Sequence, residues 1–384
     1  MSSFQKLNDT QAAINGTKFK NNIPLISSGI PSLDHVIGGG LPAGSVFAVE
    51  EDLLGNYSRV MIKYFLAEGV VCKHALLVAS GDENPKNIVK ELPIPCDMPP
   101  EEPEVNLLQT DAEKMKIAWR YEGLSQVESS FGSNTSFGHH FDLTKHIDEE
   151  TIKSTDINYC GLTVSDLYKV KGFKNVIYFK LLKNIKKLVS KEQFRSNSEN
   201  SNILRISIQS LGSPIWLATD CVEESDGTYG QELIKFMYCL RVLLRDTNAV
   251  AFVTIPGHLF DGSLEIPSEP KIGRNDDHII KRILYTVDNA VKIESFAGSS
   301  RETNPVFKDY HGLFHVTKLS ALYSLVQFVP PSLDLAFKLK RKKFLIEKLH
   351  LPPELEETSE REQDDITAIP SVSCGGFKKK DIDF

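Results

Sequence analysis

The sequence predicts an α/β protein built on a mostly parallel, twisted sheet with helices on both faces. Three observations carry that prediction. First, SVFAVE (45–50), HALLVAS (74–80) and NAVAFVTIP (248–256) are short, continuous apolar runs, the pattern of strands buried on both faces. Second, NVIYFKLLKNIKKLVSKEQF (175–194) carries apolar residues three and four apart with lysines between them, an amphipathic helix. Third, SVFAVE runs through the turn EDLLGNYS (51–58) directly into the helical pattern RVMIKYFLAEG (59–69), so strand and helix alternate along the chain.

The elements follow in order. Residues 1–22 are polar and expected to be flexible, with order beginning near Ile26. Pro31 to Ile37 reads as a short helix, capped by Ser28 and stopped at Gly38. After the strand at 74–80, ENPKNIVKELP (83–93) reads as a short helix ended by Pro93 and Pro95. Residues 94–175 read as a long insertion after the second strand, holding KMKIAWRYEGL and FGHHFDLTKHI as ordered pieces. SNSENSN (196–202) is a linker. In NILRISIQSLG (202–212), Ile203, Arg205 and Ser207 alternate outward with Leu204, Ile206 and Ile208 inward, a strand. QELIKFMYCLRVLLRDTN is a helix, and a Pro-, Gly- and acid-rich loop from Pro256 to Asp277 follows the strand at 248–256. AVKIESFAG and GLFHVTKLS read as a strand pair at the sheet edge, and DLAFKLKRKKFLIEKLHL as a basic helix with an apolar side. Residues 356–384 are expected to be mostly disordered.

Composition bounds the function. The chain has 384 residues, 41% hydrophobic and 25% charged, with a formal net charge of −7. That is a globular composition, and the acidic balance argues against a chain that coats nucleic acid over its whole surface. The six cysteines show no CxxC spacing and read as reduced, mostly buried thiols. No run approaches the ~18 apolar residues of a membrane span. The expected location is cytoplasmic and nuclear.

SSGIPSLDHVIGGGLPAGSVFAVEED resembles the opening of RecA-like ATPases, in which such a run leads into the first strand and the phosphate loop. EEDLLGNYSRVMIKYFLAEG, KIAWRYEGL, NILRISIQSLGSPIW, SFAGSSRETNPVFKDYHGLFHV and LAFKLKRKKFLIEKLHLPPEL narrow the resemblance to the PAXNEB family, the fourth subunits of the Elongator complex. The resemblance runs in order from Ser28 to Leu355. It implies one RecA-like domain over 23–355. It also implies a hetero-hexameric ring with the fifth and sixth Elongator subunits and attachment to the catalytic Elongator subcomplex, which modifies the wobble uridine of certain tRNAs. In that family the ring binds tRNA and releases it in an ATP-dependent manner, and the chemistry belongs to another subunit.

The turn at 51–58 departs from a working phosphate loop. Backbone amides converge on an anion at a helix N-terminus, glycines permit close approach, a lysine reaches the outer phosphates, and Ser or Thr holds magnesium. Laid on GxxxxGK[ST], the two glycines fall on Glu51 and Asn56, the lysine on Tyr57, and Ser58 alone is retained, with Asp52 as a second added carboxylate. A like-charge pair ~5 Å apart costs roughly 3 kcal/mol at an effective dielectric of about 20. Gln209 falls where a magnesium-organising Asp belongs, and the second strand ends in Ser80 and Gly81 with Glu83 beyond. The reading is a non-catalytic subunit with no cofactor; the alternatives are an active RecA-type ATPase with a degenerate loop, or a pure scaffold without RNA contact.

Other candidates carry two readings each. Lys271, Arg274, His278, Lys281 and Arg282 lie where RecA-like rings line their channel, and either meet tRNA phosphates or belong to a solvated loop. Lys340 and Arg341, within a basic cluster from Lys338 to Lys348, serve packing at an interface or RNA. Arg301 and Glu302 are interface candidates, Arg301 as a trans-acting arginine or as half of an ion pair. Trp119, Arg120 and Tyr121 anchor the insertion or stack on bases. His139, His140 and His146 invite a metal, but no Cys or carboxylate sits at a supporting spacing, so no metal site is expected.

Overall fold

The computed structural model describes residues 14–20, 23–96, 137–161, 172–195, 201–217, 228–260, 279–322, 326 and 328–350. The chain divides into two units, Met1–Leu349 and His350–Phe384, and of the second only His350 is described. The predicted pieces at 119–121, Lys271, Arg274, His278 and the tail from 351 lie outside the described residues.

In chain order the elements are β1 (Thr17–Lys20), β2 (Ile23–Ile26), α1 (Pro31–Val36), β3 (Leu41–Pro42), β4 (Ser45–Glu50), α2 (Asn56–Val71), β5 (Ala75–Ser80), α3 (Pro85–Lys90), β6 (Pro93–Pro95) and β7 (Phe141–His146). There follow α4 (Glu149–Ser154), β8 (Ile157–Gly161), α5 (Val176–Val189), β9 (Leu204–Gln209), α6 (Thr228–Leu244), β10 (Ala249–Ile255), α7 (Ile279–Thr286), β11 (Asn289–Ser295), β12 (Gly312–Lys318), β13 (Leu335–Leu339) and β14 (Phe344–Lys348).

The main sheet has nine strands in the order β14-β13-β12-β11-β4-β10-β9-β5-β8. From β11 to β8 every pairing is parallel, and from β11 to β14 every pairing is antiparallel. The parallel part is therefore the predicted α/β core, and β4 is the middle strand of the nine. Side chains alternate across each strand. On β4, Phe47 and Val49 enter the core beneath α2, while Val46 and Ala48 enter the core beneath α5, α6 and α7. Phe252 of β10 touches both Phe47 and Phe65 of α2, with ring centroids 4.9 and 5.1 Å apart. Truncating a ring buried in this way costs about 3–5 kcal/mol.

Several expectations are corrected. β1 forms inside the stretch expected to be flexible and pairs antiparallel with β2; Asn15 ties its approach down, donating to the Cys72 carbonyl at 3.1 Å. Ser28 does not cap α1, whose N-cap is Ile30 without a side-chain bond; the Ser28 amide instead donates to Asp34 Oδ1 at 2.8 Å. Arg205 and Ser207 do not face outward: every residue of β9 is buried, because α2 covers one face and α5 and α6 the other. Residues 141–161, placed in the insertion, supply β7, α4 and the edge strand β8. The β11–β12 pair is not the sheet edge. The basic segment is not a helix; it is the hairpin β13–β14, which extends the sheet and buries Phe337, Phe344 and Ile346.

Candidate functional site

The turn between β4 and α2 sits at the carboxyl end of the central strand, the usual ligand position in open α/β sheets. Gly55, not Asn56, takes the left-handed conformation there, with φ +64°, and α2 starts one residue later. The phosphate-loop spacing thus carries a glycine one place early. The first amides of a helix have no partner within it and form a ready anion site. Here Asp52 takes them: its carboxylate accepts from the Asn56 amide at 3.3 Å and the Tyr57 amide at 3.2 Å. Asp52 is buried, and its own carbonyl accepts from the Gly55 amide at 2.8 Å. Ser58, buried as well, donates its hydroxyl to the Gly55 carbonyl at 3.1 Å.

Glu51 turns the other way. It accepts from the Ser210 hydroxyl at 3.0 Å, across from the end of β9. Burial pushes its carboxyl above the ordinary 4.5; hydrogen bonds from Thr254 and Ser210 oppose this, and Asp82 and Asp52 add to it. The cleft that Glu51 shares with Leu53, Arg59, Asp82 and His258 encloses about 140 Å³, against roughly 300–1,000 Å³ for small-molecule sites. Arg59, a cation of that cleft, stands 3.8 Å from Asp82.

Tyr57, at the lysine position, packs its ring edge-on against Phe337 of β13, with centroids 4.7 Å apart. The start of α2 is thereby joined to the carboxy-terminal hairpin. Gln209 is buried at the end of β9; its carbonyl accepts from the Trp216 indole at 3.2 Å, and its amide nitrogen has no partner among the described residues. Ser80 closes β5 and accepts from the Glu83 amide at 3.2 Å, leaving Glu83 in the turn as expected.

The remaining candidates lie on separate elements. Lys281 and Arg282 are exposed on α7. Lys340 and Arg341 occupy the tight turn of the β13–β14 hairpin, closed by Lys340–Lys343 backbone bonds. Arg301 pairs with Glu294 at 2.6 Å in a half-exposed ion pair, and Glu302 accepts from the Gly298 amide at 2.7 Å. Arg301 is thus engaged by the strand that leads into its loop.

Sequence reasoning missed a buried polar cluster at the other end of α2. Arg205 is fully buried; its Nε donates to His74 Nδ1 at 3.0 Å and its Nη1 to the carbonyls of Ser27 and Phe65 at 2.8 and 3.1 Å. Burial, then Arg205, hold His74 down to about 3, so it accepts as a neutral ring. Glu68 is the anion that acts most strongly on Arg205, through space and without a direct ion pair among the described residues. Burial alone would raise its carboxyl, but the His139 hydrogen bond and Arg205 outweigh burial and bring it below 4.5. Asp34, pushed up to about 7 by burial against bonds from Ser27 and Ser28, completes the cluster. The one signal in the sequence was a charged residue, Arg205, inside the strand LRISIQ.

Fold and turn together define a class: an α/β protein with a mostly parallel sheet whose central strand-to-helix turn sets its own carboxylate on the first helix amides. The sequence profile of the PAXNEB protein family matches residues 10–384, and the chain belongs to that family. It is 40% identical over 373 residues to Elongator complex protein 4 of Danio rerio, covering 94% of this chain and 90% of that protein. It is 40% identical over 365 residues to Elongator complex protein 4 of Homo sapiens, covering 91% of this chain and 82% of that protein. With the Mus musculus protein of the same name it shares 39% identity over 391 residues, 97% of this chain and 89% of that protein.

Proposed function

We propose that this chain is a non-catalytic subunit of the Elongator complex, active in the cytoplasm and nucleus. It assembles with the fifth and sixth subunits into a hetero-hexameric ring, joins the catalytic subcomplex, and helps hold tRNA for wobble-uridine modification. Its kinship with proteins named Elongator complex protein 4 supports the assembly. The observation that carries the non-catalytic reading is the Asp52 carboxylate on the Asn56 and Tyr57 amides. A phosphate at that helix end would displace an anion already in place and meet Glu51 beside it. Tyr57 supplies no charge and is committed to Phe337.

Two measurements test the proposal. The full chain, alone, is expected to show no saturable ATP binding in a filter assay; hydrolysis by the isolated chain would refute the non-catalytic reading. The ring assembled with its companions is expected to bind tRNA with a salt slope that falls by about 3 when Lys271, Arg274, Lys281 and Arg282 become Ala. An unchanged affinity and slope would remove those residues from the RNA path.

A further inference from the structure

The carboxy-terminal end of α2 brings two neighbouring side chains together with a third from 71 residues further along the chain. Glu68 and Cys72 are four residues apart on one helix face. His139 reaches them from the segment that enters β7. The Cys72 sulfur lies 3.5 Å from Glu68 Oε1, and His139 Nδ1 lies 3.2 Å from the same oxygen. All three donor atoms fall within 4.8 Å of one another. At zinc bond lengths and a tetrahedral angle, an oxygen–nitrogen pair is about 3.3 Å apart and an oxygen–sulfur pair about 3.6 Å. The two separations from Glu68 Oε1 match those of ligands around one small ion, and the sulfur and ring nitrogen lie within 4.8 Å of each other.

We propose that Glu68, Cys72 and His139 form a zinc-type metal site that fastens the start of β7 to the end of α2. Sulfur, imidazole and a single carboxylate oxygen are the donor set of zinc rather than of magnesium or calcium. The site is built rather than incidental. The His139 amide donates to Glu68 Oε2 at 3.1 Å, and its Nδ1 stands 3.2 Å from both carboxylate oxygens, so backbone and ring hold the carboxylate from one side. Gly138, at φ +98°, permits that approach: a Cβ there would lie 2.2 Å from the Ser27 hydroxyl oxygen. Glu68 and Cys72 are buried, while the His139 side chain is 49% exposed, so the fourth position faces solvent on its side.

The proton balance is simple. Burial, then the neighbouring Glu68 carboxylate, push the Cys72 thiol up to about 12, so it is protonated without metal. A divalent ion displaces that proton to solvent, and carboxylate plus thiolate match its two charges. Arg205 competes for the same carboxylate, so binding is weaker than at a closed four-ligand site.

The test is titration of the metal-stripped full chain with Co²⁺ and then Zn²⁺. One equivalent of Co²⁺ is expected to give a thiolate-to-cobalt charge-transfer band that Zn²⁺ abolishes, with one proton released per ion. Cys72→Ser should lose the band. His139→Ala, whose half-exposed ring leaves the fold intact, should lower affinity at least tenfold, and His146→Ala should change neither reading. Cobalt uptake without a thiolate band, or equal Zn²⁺ affinity in wild type and His139→Ala, overturns the proposal and leaves the three residues as a hydrogen-bonded cluster only.

Discussion

The two ends of α2 handle charge in opposite ways. At its start, a surface turn offers amides that elsewhere receive a phosphate, and the chain satisfies them with Asp52. At its end, Glu68 and Arg205 are buried together, with His74 and His139 completing their bonds. The Asp52 bonds are local, made between neighbours in sequence. The other end joins four distant segments through the interior. The comparison teaches that the end resembling an active site is the energetically ordinary one, while the end without a motif is where electrostatic stakes are high.

That contrast can be broken by experiment. The largest effect is expected for Glu68→Ala, which leaves Arg205 buried without the anion that acts most strongly on it: about 3–5 kcal/mol of stability lost in denaturant unfolding with chelator present. A loss near zero would mean that Arg205 finds solvent or another partner. Next comes Tyr57→Ala, expected to cost about 2 kcal/mol through lost packing on Phe337. Calorimetry checks it. Asp52→Ala should cost about 1 kcal/mol, the usual worth of satisfying helix-start amides. If it costs as much as Glu68→Ala, the two ends do not differ in kind.

How much of this could be read from residues alone follows from distance along the chain. The strand–turn–helix unit and its acidic turn were legible because every ingredient lies between Ser45 and Val71. The left-handed residue lies one place before the position on which the glycine of the pattern falls: Gly55 is the N-cap and Asn56 the first helical residue. The Arg205–His74 bond spans 131 residues and the Glu68–His139 contact 71, separations that no local pattern encodes. The carboxy-terminal hairpin was misread because its turn, Lys340–Lys343, holds neither Gly nor Pro. Its lysines at helical spacing outweighed the period-two alternation of Leu335, Phe337 and Leu339.

The smallest effect sharpens the comparison by its sign. Glu51 holds its proton more tightly folded than unfolded, because burial raises its carboxyl above 4.5. Its stabilising contribution is therefore full below that value and declines as pH rises through the folded one. Glu51→Gln should flatten this decline, so that the variant gains on wild type in unfolding midpoints as pH rises above the ordinary carboxylate value of 4.5. A variant that instead loses ground with rising pH would mean that the carboxylate, not the acid, is the form the fold prefers.

Asp52 is an anion tethered by its own backbone. It cannot diffuse away, be exchanged, or be cut, so this end of the helix has no before and after. In the proposed ring, any turning, opening or letting go would take its timing from a neighbour.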